Sequence, residues 1–167
     1  MRSENEVNQA IEIYSDMIMR IAMTHMKNMQ DTEDIFQEVF LKYVKSDAIF
    51  ESKEHEKAWF IRVTMNLCKD SLKSFFRKNM LPIDDYVNTF PNITNSNKEV
   101  LSAVLSLPDK YRDVIYLYYY EGYAIKEIAQ LLHKNVNTIY TLLNRAKPLL
   151  KEKIGGDEDE WKNKKCI

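Results

Sequence analysis

The chain has 167 residues, 45% of them hydrophobic and 29% charged, and its net charge is -1. Three glycines and four prolines, against eight methionines and long segments with helical spacing, predict an almost entirely α-helical protein. The first residues lack the basic-then-apolar order of a signal peptide, and no run approaches the roughly 20 apolar residues that cross a bilayer. We therefore expect a cytoplasmic protein.

Neither a disulfide framework nor a metal site is expected. Cys68 and Cys166 lie far apart, and no other Cys or His lies near them at ligand spacing. The sequence also lacks a nucleophile-base-acid set and a glycine loop that could cradle phosphate. We predict no cofactor, no metal and no enzymatic activity.

The distribution of charge is more informative than its sum. Residues 51–80 contain 7 basic and 4 acidic side chains, and residues 136–154 contain 4 basic and 1 acidic. The segments between and around these blocks are acidic. This pattern predicts two separate surfaces for nucleic-acid phosphates, with acidic surfaces suited to a protein partner.

The first predicted helix covers residues 7–28. Its apolar positions recur at helical spacing and form one stripe. We interpret the histidine of this stripe as a residue at the edge of the core, and the nearby methionines as adaptable apolar filler. The stripe consists of Ile11, Tyr14, Ile18, Ile21 and His25.

A second helix is predicted from Asp31, because Asp31 or Thr32 can cap its first turn. Apolar side chains lie on two sides of this helix, which is more apolar surface than one small core can cover. A protein partner would cover the remainder and contact the polar edge of the helix, although a solvated charged face is the alternative. This edge consists of Asp34, Gln37, Glu38 and Lys42.

A third helix is predicted over residues 55–78, with a break near Asn66. Its buried stripe would be Ala58, Ile61, Met65, Cys68 and Leu72. Basic and aromatic residues alternate along it, which suits single-stranded nucleic acid because cations follow the backbone and rings stack on unpaired bases. For the tryptophan, packing in the core is the favoured interpretation. These residues are Trp59, Phe60, Arg62, Lys69, Lys73, Arg77 and Lys78.

Residues 79–97 contain two prolines and show no periodicity, which is typical of a linker. We therefore predict two small helical domains joined by a flexible linker. The first domain covers residues 1–79, the linker 80–97, the second domain 98–154, and a tail 155–167.

The second domain begins with a helix over residues 99–107, which Pro108 ends. Asp109 is predicted to cap the next helix, which ends at Gly122 in the usual position for a C-terminal glycine. Residues 122–150 then resemble a helix-turn-helix. The first helix has apolar positions at 125, 128, 129 and 132, and Asn135 can cap a second helix with an apolar stripe at 139, 143, 146 and 150.

The face opposite that second stripe is predicted to read DNA. Asparagine and arginine pair bidentately with adenine and guanine edges, and Lys147 would contact phosphate. A helical hairpin that only packs in a core is the alternative. Pro148 is expected to interrupt the helix late and to confine the reading part to its first three turns. The candidate residues are Asn137, Thr138, Tyr140, Thr141, Asn144, Arg145 and Lys147.

Several segments in this order resemble the bacterial RNA polymerase sigma factors, specifically the extracytoplasmic-function (ECF) group with two domains. In the first domain the resemblance rests on DTEDIFQEVFLKYVK and AWFIRVTMNLCKDSLKSFFRK. In the second it rests on LPDKYRDVIYLYYYEGYAIKEIAQLL followed by NTIYTLLNRA. It covers about residues 10–153.

The resemblance implies a non-catalytic specificity subunit that binds core RNA polymerase, at the β′ clamp and the β flap, and directs it to promoter DNA. It also implies restraint by an anti-sigma factor, which could hold the protein at the membrane. The implied core-binding residues are Asp34, Gln37, Glu38 and Lys42. The implied minus-10 contacts are Trp59, Arg62, Asn66, Lys69, Lys73 and Arg77, with Asn66 in the segment that holds a flipped-out base, and the minus-35 contacts are the seven candidates of the helix-turn-helix.

The chain departs from the family pattern at several positions. His133 and Lys134 occupy a turn that usually has a glycine and then an aliphatic residue. Leu142 stands where a basic residue is frequent, and Pro148 lies inside the recognition helix. The tail from residue 155 has no counterpart.

Two other functions remain as alternatives. The chain could be a dimeric helix-turn-helix regulator of duplex DNA, but this lacks a symmetric dimerisation helix and leaves residues 31–78 unexplained. An enzyme that uses the carboxylates of Asp31, Asp34 and Glu38 is a more distant alternative, because no metal partner or second cluster accompanies them.

Overall fold

A computed structural model describes residues 1–74, 95–157 and 160, with the side chains of residues 73, 74 and 95–97 excluded. Within these residues every regular element is a helix, which confirms the predicted all-α fold. The chain divides into two compact units, Met1–Leu81 and Pro82–Ile167. Most of the predicted linker and the tail from residue 161 lie outside the described residues.

The described part of the first unit, residues 1–74, contains three helices, and each packs against the other two. The helix α1 begins after Ser3, whose hydroxyl accepts a hydrogen bond from the Glu6 backbone N–H while the Glu6 carboxylate accepts from Ser3. This capping box starts α1 three residues earlier than predicted. The helices are α1 (Glu4–Met26), α2 (Met29–Lys45) and α3 (Lys53–Ser74).

The predicted stripe of α1 is buried from Tyr14 to His25, whereas Ile11 is exposed. The prediction for Ile11 is therefore wrong. Ala10 is buried in its place, because the start of α1 contacts the other helices with the side of Ala10 and Tyr14.

The predicted cap of α2 is also wrong. Asn28 has extended backbone, and its side-chain oxygen accepts a hydrogen bond from the Asp31 N–H at 2.8 Å. Thr32 lies inside the helix, buried, and its hydroxyl donates to the Asn28 carbonyl at 2.7 Å. Lys27 has left-handed backbone and ends α1, so the next residue, Asn28, takes the N-cap position and α2 begins at Met29.

The helix α3 continues through Asn66, so the predicted break does not occur. Ile61, Met65 and Cys68 are buried before and after this position and hold the helix against the core on both sides of it. Asn66 itself is exposed, and Ala58 and Leu72 at the ends of the predicted stripe are half-buried.

A buried carboxylate joins the three helices of the first unit. Glu56 is 6% exposed and accepts hydrogen bonds from the hydroxyls of Tyr14 at 3.0 Å and Tyr43 at 2.7 Å, and from the Lys53 ammonium at 2.8 Å. Burial acts to raise the pKa of Glu56, but these hydrogen bonds outweigh it and the pKa lies below its usual value. Burial and the Glu56 charge raise the pKa of both tyrosines, so the phenols remain donors.

The second unit, over residues 95–157, is built around its last long helix, which contacts the three other α-helices described there. Its elements are α4 (Asn95–Leu105), α5 (Asp109–Ile115), a π-helical segment (Tyr116–Tyr120), α6 (Ile125–Leu132) and α7 (Val136–Ile154).

The connection between α4 and α5 differs from the prediction. The helix α4 ends at Leu105, and Leu107 follows in a turn. Pro108 occupies the N-cap position of α5, and Asp109 makes no capping hydrogen bond. Asp109 instead forms an ion pair with the buried Arg112, which also donates to the Leu105 carbonyl at 3.2 Å. The predicted Asp109 cap is wrong because Arg112 engages its carboxylate.

The tyrosine-rich end of the predicted helix 109–122 changes from α to π geometry after Ile115. Glu121 donates its N–H to the Tyr116 carbonyl, five residues back, at 3.1 Å. The rings of Tyr116 and Tyr120 stack with centroids 5.3 Å apart. Gly122 then adopts a positive φ of 74°, in the C-terminal glycine position that the sequence predicted.

Replacing the buried carboxylate of Glu56 tests its role in stability. We expect Glu56→Gln to reduce the free energy of unfolding at pH 7 by about 2 kcal/mol, because charge-assisted hydrogen bonds are lost. Since folding lowers the pKa of Glu56, its stabilisation is present above the unfolded pKa and disappears as pH falls through the folded pKa. The difference between the two proteins should therefore shrink below about pH 4.

The measurement is urea unfolding followed by Trp59 fluorescence, with Trp161 replaced by Phe so that one of the two tryptophans remains. Glu54→Gln is the matched control, since Glu54 is an exposed residue of the same first turn. An equal loss in the control, or a loss that does not change with pH, would contradict the assignment.

Candidate nucleic-acid interface

The helix-turn-helix of the second unit is formed by α6, a short turn and α7. His133 adopts left-handed backbone with φ of 53°, and the Lys134 N–H donates to the Ala129 carbonyl at 2.9 Å. This closes the end of α6 in the manner of a Schellman motif. Asn135 then caps α7 by accepting from the Asn137 N–H at 2.8 Å, as predicted. The turn thus has the usual shape although histidine replaces glycine.

The helix α7 has one buried face and one exposed polar face. The predicted apolar stripe at Ile139, Leu143, Ala146 and Leu150 is buried, and Leu142 joins it at 8% exposure. Leu142, where the family pattern frequently has a basic residue, thus adds to the apolar packing of α7. The exposed face contains six of the seven predicted reading residues, namely Asn137, Thr138, Tyr140, Thr141, Asn144 and Arg145.

The seventh residue, Lys147, lies at the edge of this face, three residues after Asn144. It is half-buried, and its ammonium lies 5.7 Å from the centroid of the Tyr118 ring. That distance is within the range of a cation–π contact. Lys147 therefore contacts the π-helical segment and remains partly exposed to solvent.

Pro148 does not interrupt α7, so this prediction is wrong. The helix continues to Ile154, with Ala146 and Leu150 buried on either side of the proline. Pro148 lacks an N–H, so the Asn144 carbonyl loses its helical hydrogen-bond donor. Asn144 and Pro148 lie on the exposed side of α7, where water can donate to this carbonyl instead. Packing of the flanking residues keeps the helix continuous.

The surface of α3 places three predicted nucleic-acid residues on one side. Arg62, Asn66 and Lys69 follow each other at spacings of four and three residues, which aligns them along the helix. Asn66 is exposed, and the two basic residues are half-buried. The side chain of Lys73 and the residues Phe75, Phe76, Arg77 and Lys78 lie outside the described residues.

Trp59 is half-buried in an aromatic cluster. Its ring centroid lies 5.7 Å from that of Tyr43, 5.1 Å from Phe60 and 5.9 Å from Phe50. Phe60 is fully buried, whereas part of the Trp59 ring remains accessible. Trp59 thus packs on the core, as favoured from the sequence, and still borders the surface.

The exposed edge of α2 contains all four predicted partner residues, Asp34, Gln37, Glu38 and Lys42. Lys42 lies 4.0 Å from the Glu38 carboxylate, and both side chains are about half exposed. Leu41, which was not predicted, lies on the same exposed side of α2 with 51% exposure. A helical wheel would have found it, because Leu41 follows Glu38 by three residues.

Val136 was also missed by the sequence analysis. It is the first residue of α7, 42% exposed, and lies one turn before Tyr140. The two form an exposed apolar pair beside the polar reading residues, and apolar side chains in a DNA-reading helix contact thymine methyl groups.

Other kinds of site are not found in the part of the chain that the structure describes. No group of three or more His, Cys, Asp or Glu residues there could hold a metal ion. Over the same residues, no helix is long and apolar enough to cross a membrane.

Two family models match the chain, and they correspond to its two units. Sigma-70 region 2 matches residues 10–77, which include most of α1 and all of α2 and α3. Sigma-70, region 4 matches residues 97–150, which include the helix-turn-helix. Together they cover most of the chain.

The chain is similar in sequence to several sigma factors. The ECF RNA polymerase sigma factor SigW of Bacillus subtilis is 27% identical over 167 residues, covering 86% of each chain. The RNA polymerase sigma factor SigV of the same organism is 29% identical over 136 residues, covering 79% of this chain and 81% of SigV.

Similar folds occur in two solved structures. The sigma factor RpoE of Bartonella quintana, solved with the anti-sigma factor NepR, has a TM-score of 0.72 at 18% identity and covers 91% of this chain and 98% of its own. CnrH, solved with the cytosolic domain of CnrY, has a TM-score of 0.64 at 17% identity and covers 90% and 88%.

The region 2 match accounts for residues that a dimeric helix-turn-helix regulator would leave unexplained, so that alternative is not favoured. The order of the two matches and the named relatives confirm the resemblance found in the sequence. The chain belongs to the sigma-70 family and is a transcription initiation sigma subunit of the extracytoplasmic-function group.

Proposed function

We propose that this sigma factor binds core RNA polymerase through the exposed edge of α2, opens and reads the minus-10 box with α3, and reads the minus-35 box with α7. The observation that carries the proposal is the correspondence between the matched regions and the two units. Each unit exposes polar residues on the helices concerned.

The minus-35 assignment is supported by the composition of the exposed face of α7. Asn144 and Arg145 can pair with adenine and guanine edges in the major groove, and Tyr140 and Val136 add apolar contacts. Between Asn135 and Pro148 only Arg145 and Lys147 are basic, so phosphate attraction by this part of α7 is modest and specificity rests on contacts with base edges.

The minus-10 assignment is supported by the row of Arg62, Asn66 and Lys69 on α3, with the partly accessible ring of Trp59 one turn before Arg62. Cations beside an aromatic ring suit an unpaired strand. The exposed Asn66 amide offers both a donor and an acceptor, as recognition of a flipped base requires.

The core-binding assignment is supported by Leu41, an exposed apolar residue beside the charged pair of Glu38 and Lys42. An apolar contact with a charged border is the usual composition of a protein interface. We propose the polymerase β′ clamp as the partner of α2 and the β flap as the partner of the second unit.

We further propose that an anti-sigma factor restrains the protein in the cytoplasm and can hold it at the membrane. The structural neighbour RpoE was solved with an anti-sigma factor, and CnrH was solved with the cytosolic domain of CnrY. The protein acts by binding rather than by catalysing a reaction.

Run-off transcription tests the function as a whole. Purified core polymerase is incubated with a genomic DNA pool, with and without this protein, and the transcripts are sequenced. We expect promoter-specific transcripts only when the protein is present. Equal transcripts in both reactions would reject the proposal.

For the α2 edge, we expect Glu38→Lys to weaken core binding, because like charges at an interface can cost several kcal/mol. The measurement is co-purification with core polymerase, while the helical circular dichroism signal should remain. Glu12→Lys makes the same charge change at an exposed position of α1 and should bind normally. If both variants bind core equally well, α2 is not the docking edge.

For α3, we expect Asn66→Ala to leave core binding intact and to reduce open-complex formation on duplex promoters, because the base-holding amide is lost. Permanganate footprinting measures the opening. Asn8→Ala, at an exposed position of α1, is the control. Footprints of Asn66→Ala that match wild type would remove Asn66 from the minus-10 site.

For α7, we expect Arg145→Ala to relax the preference at one base pair, with a loss of roughly 1 to 3 kcal/mol on the preferred sequence. Lys147→Ala should weaken all sequences alike and make the salt dependence shallower by about one phosphate contact. Binding of the full chain to minus-35 variants across a salt series measures both. Were Arg145→Ala to weaken every sequence equally, Arg145 would be a phosphate contact instead.

A further inference from the structure

The residues before α1 are fastened to the connection between α2 and α3. The Arg2 backbone N–H donates to the Val44 carbonyl at 3.1 Å, and its guanidinium donates to the Ala48 carbonyl. The guanidinium carbon lies 4.4 Å from the centroid of the Tyr43 ring and 4.9 Å from that of Phe50. The Arg2 side chain is only 12% exposed. Arg2 therefore contacts both the end of α2 and the following loop, and the terminal ammonium of Met1 adds an exposed ion pair with Asp47 of the loop at 3.3 Å.

The loop at residues 46–52 is only partly packed on the helices. An open cavity of about 540 Å³ borders the loop and the helices, and both Arg2 and the loop residues Ala48, Ile49 and Phe50 line it. Ile49 is 88% exposed. Local hydrogen bonds shape the loop, such as that from the Ala48 N–H to the Ser46 hydroxyl at 3.1 Å. The Phe50 ring also stacks on Tyr43 with centroids 6.3 Å apart, so the Arg2 contacts act together with this aromatic packing to hold the loop.

The same contacts reach the start of α3. Phe50 lies 5.9 Å from Trp59 and 5.5 Å from His55, measured between ring centroids. Tyr43 lies 5.7 Å from Trp59, and its hydroxyl is fixed by Glu56. The two rings beneath the Arg2 guanidinium are therefore two of the rings that surround Trp59.

We propose that Arg2 is a positioning residue for the minus-10 surface, which consists of Trp59, Arg62, Asn66 and Lys69 on α3. Arg2 holds the 46–52 loop and the Trp59 ring in the orientation that contacts the DNA strand. This inference rests on the proposed function of α3. An arginine suits the task because its planar guanidinium stacks on aromatic rings while its N–H groups bond a carbonyl.

The physical gain is preorganisation. A loop that is ordered before DNA arrives does not lose conformational freedom on binding, so more of the contact energy appears as affinity. Without the Arg2 contacts, a smaller fraction of the molecules would hold the loop and Trp59 in the competent arrangement, and the apparent affinity would fall by that fraction.

The experiment compares wild type and Arg2→Ala as full chains bound to core polymerase. The probe is a single-stranded oligonucleotide that carries the minus-10 box of a promoter found by run-off transcription. We expect about tenfold weaker binding by Arg2→Ala. Core binding and the helical circular dichroism signal should be unchanged, because Arg2 lies outside the helices.

The salt dependence separates positioning from direct contact. If Arg2 touched a phosphate, its removal would make the slope of log affinity against log salt shallower by about one contact. A positioning residue leaves the slope unchanged, so the tenfold loss should be the same at every salt concentration. A shallower slope would overturn the proposal.

A double-mutant cycle tests the route through Phe50. If Arg2 acts by holding Phe50, Arg2→Ala should cost little more once Phe50→Ala is present, whereas independent residues give additive losses. Additive losses, or unchanged affinity in Arg2→Ala, would overturn the proposal. If Arg2→Ala reduces helicity, the cycle uses Arg2→Lys, which keeps the charge but not the planar fork, with the same criteria.

The outcome also separates this inference from the proposed function. If the wild-type complex fails to bind the minus-10 oligonucleotide, the assignment of α3 fails. If the wild type binds and Arg2→Ala binds equally well, only the positioning role of Arg2 fails.

Discussion

The Glu56 carboxylate is shared by the three helices of the first unit. It lies on α3 and accepts hydrogen bonds from Tyr14 on α1 and Tyr43 on α2, with Lys53 completing its set of donors. An ionised carboxylate at 6% exposure would be costly without these partners. The donors, and the helices that contain them, must therefore come together as one arrangement. The surfaces of α2 and α3 proposed for polymerase and DNA are fixed relative to each other through this group.

Tyr43 connects this buried charge to the surface. Its hydroxyl faces Glu56, its ring faces Arg2, and its edge borders Trp59. In the second unit, one helix both packs in the core and exposes the proposed site. Since α-helical periodicity separates two faces cleanly, α7 buries Ile139 and its neighbours on one side and leaves the proposed reading residues on the other.

Elements with strong periodicity could be predicted from the sequence, because burial on one side of a helix leaves a regular pattern. The helix-turn-helix, the Asn135 cap and the buried stripe of α7 are of this kind. Local signals that compete were harder to rank. Asn28, Asp31 and Thr32 can each cap a helix. Asn28 is the cap because the preceding Lys27 has left-handed backbone, which ends α1 directly before it. Pro148 lies in a helix that packing on both sides holds together, which local propensity could not reveal.

By itself, the sequence determined the helical class, the helix-turn-helix and the family, because these depend on periodicity and on motifs within single segments. It also located the polar edge of α2 and the polar face of α7, which are properties of one helix each. Tertiary structure alone decided which polar residues became buried and paired. Glu56 looks like any charge in the first turn of a helix, and Arg2 like any terminal residue. Glu56 pairs with Tyr14, and the proposed role of Arg2 depends on Tyr43; each partner is about 40 residues away in sequence, and no local pattern records such distances.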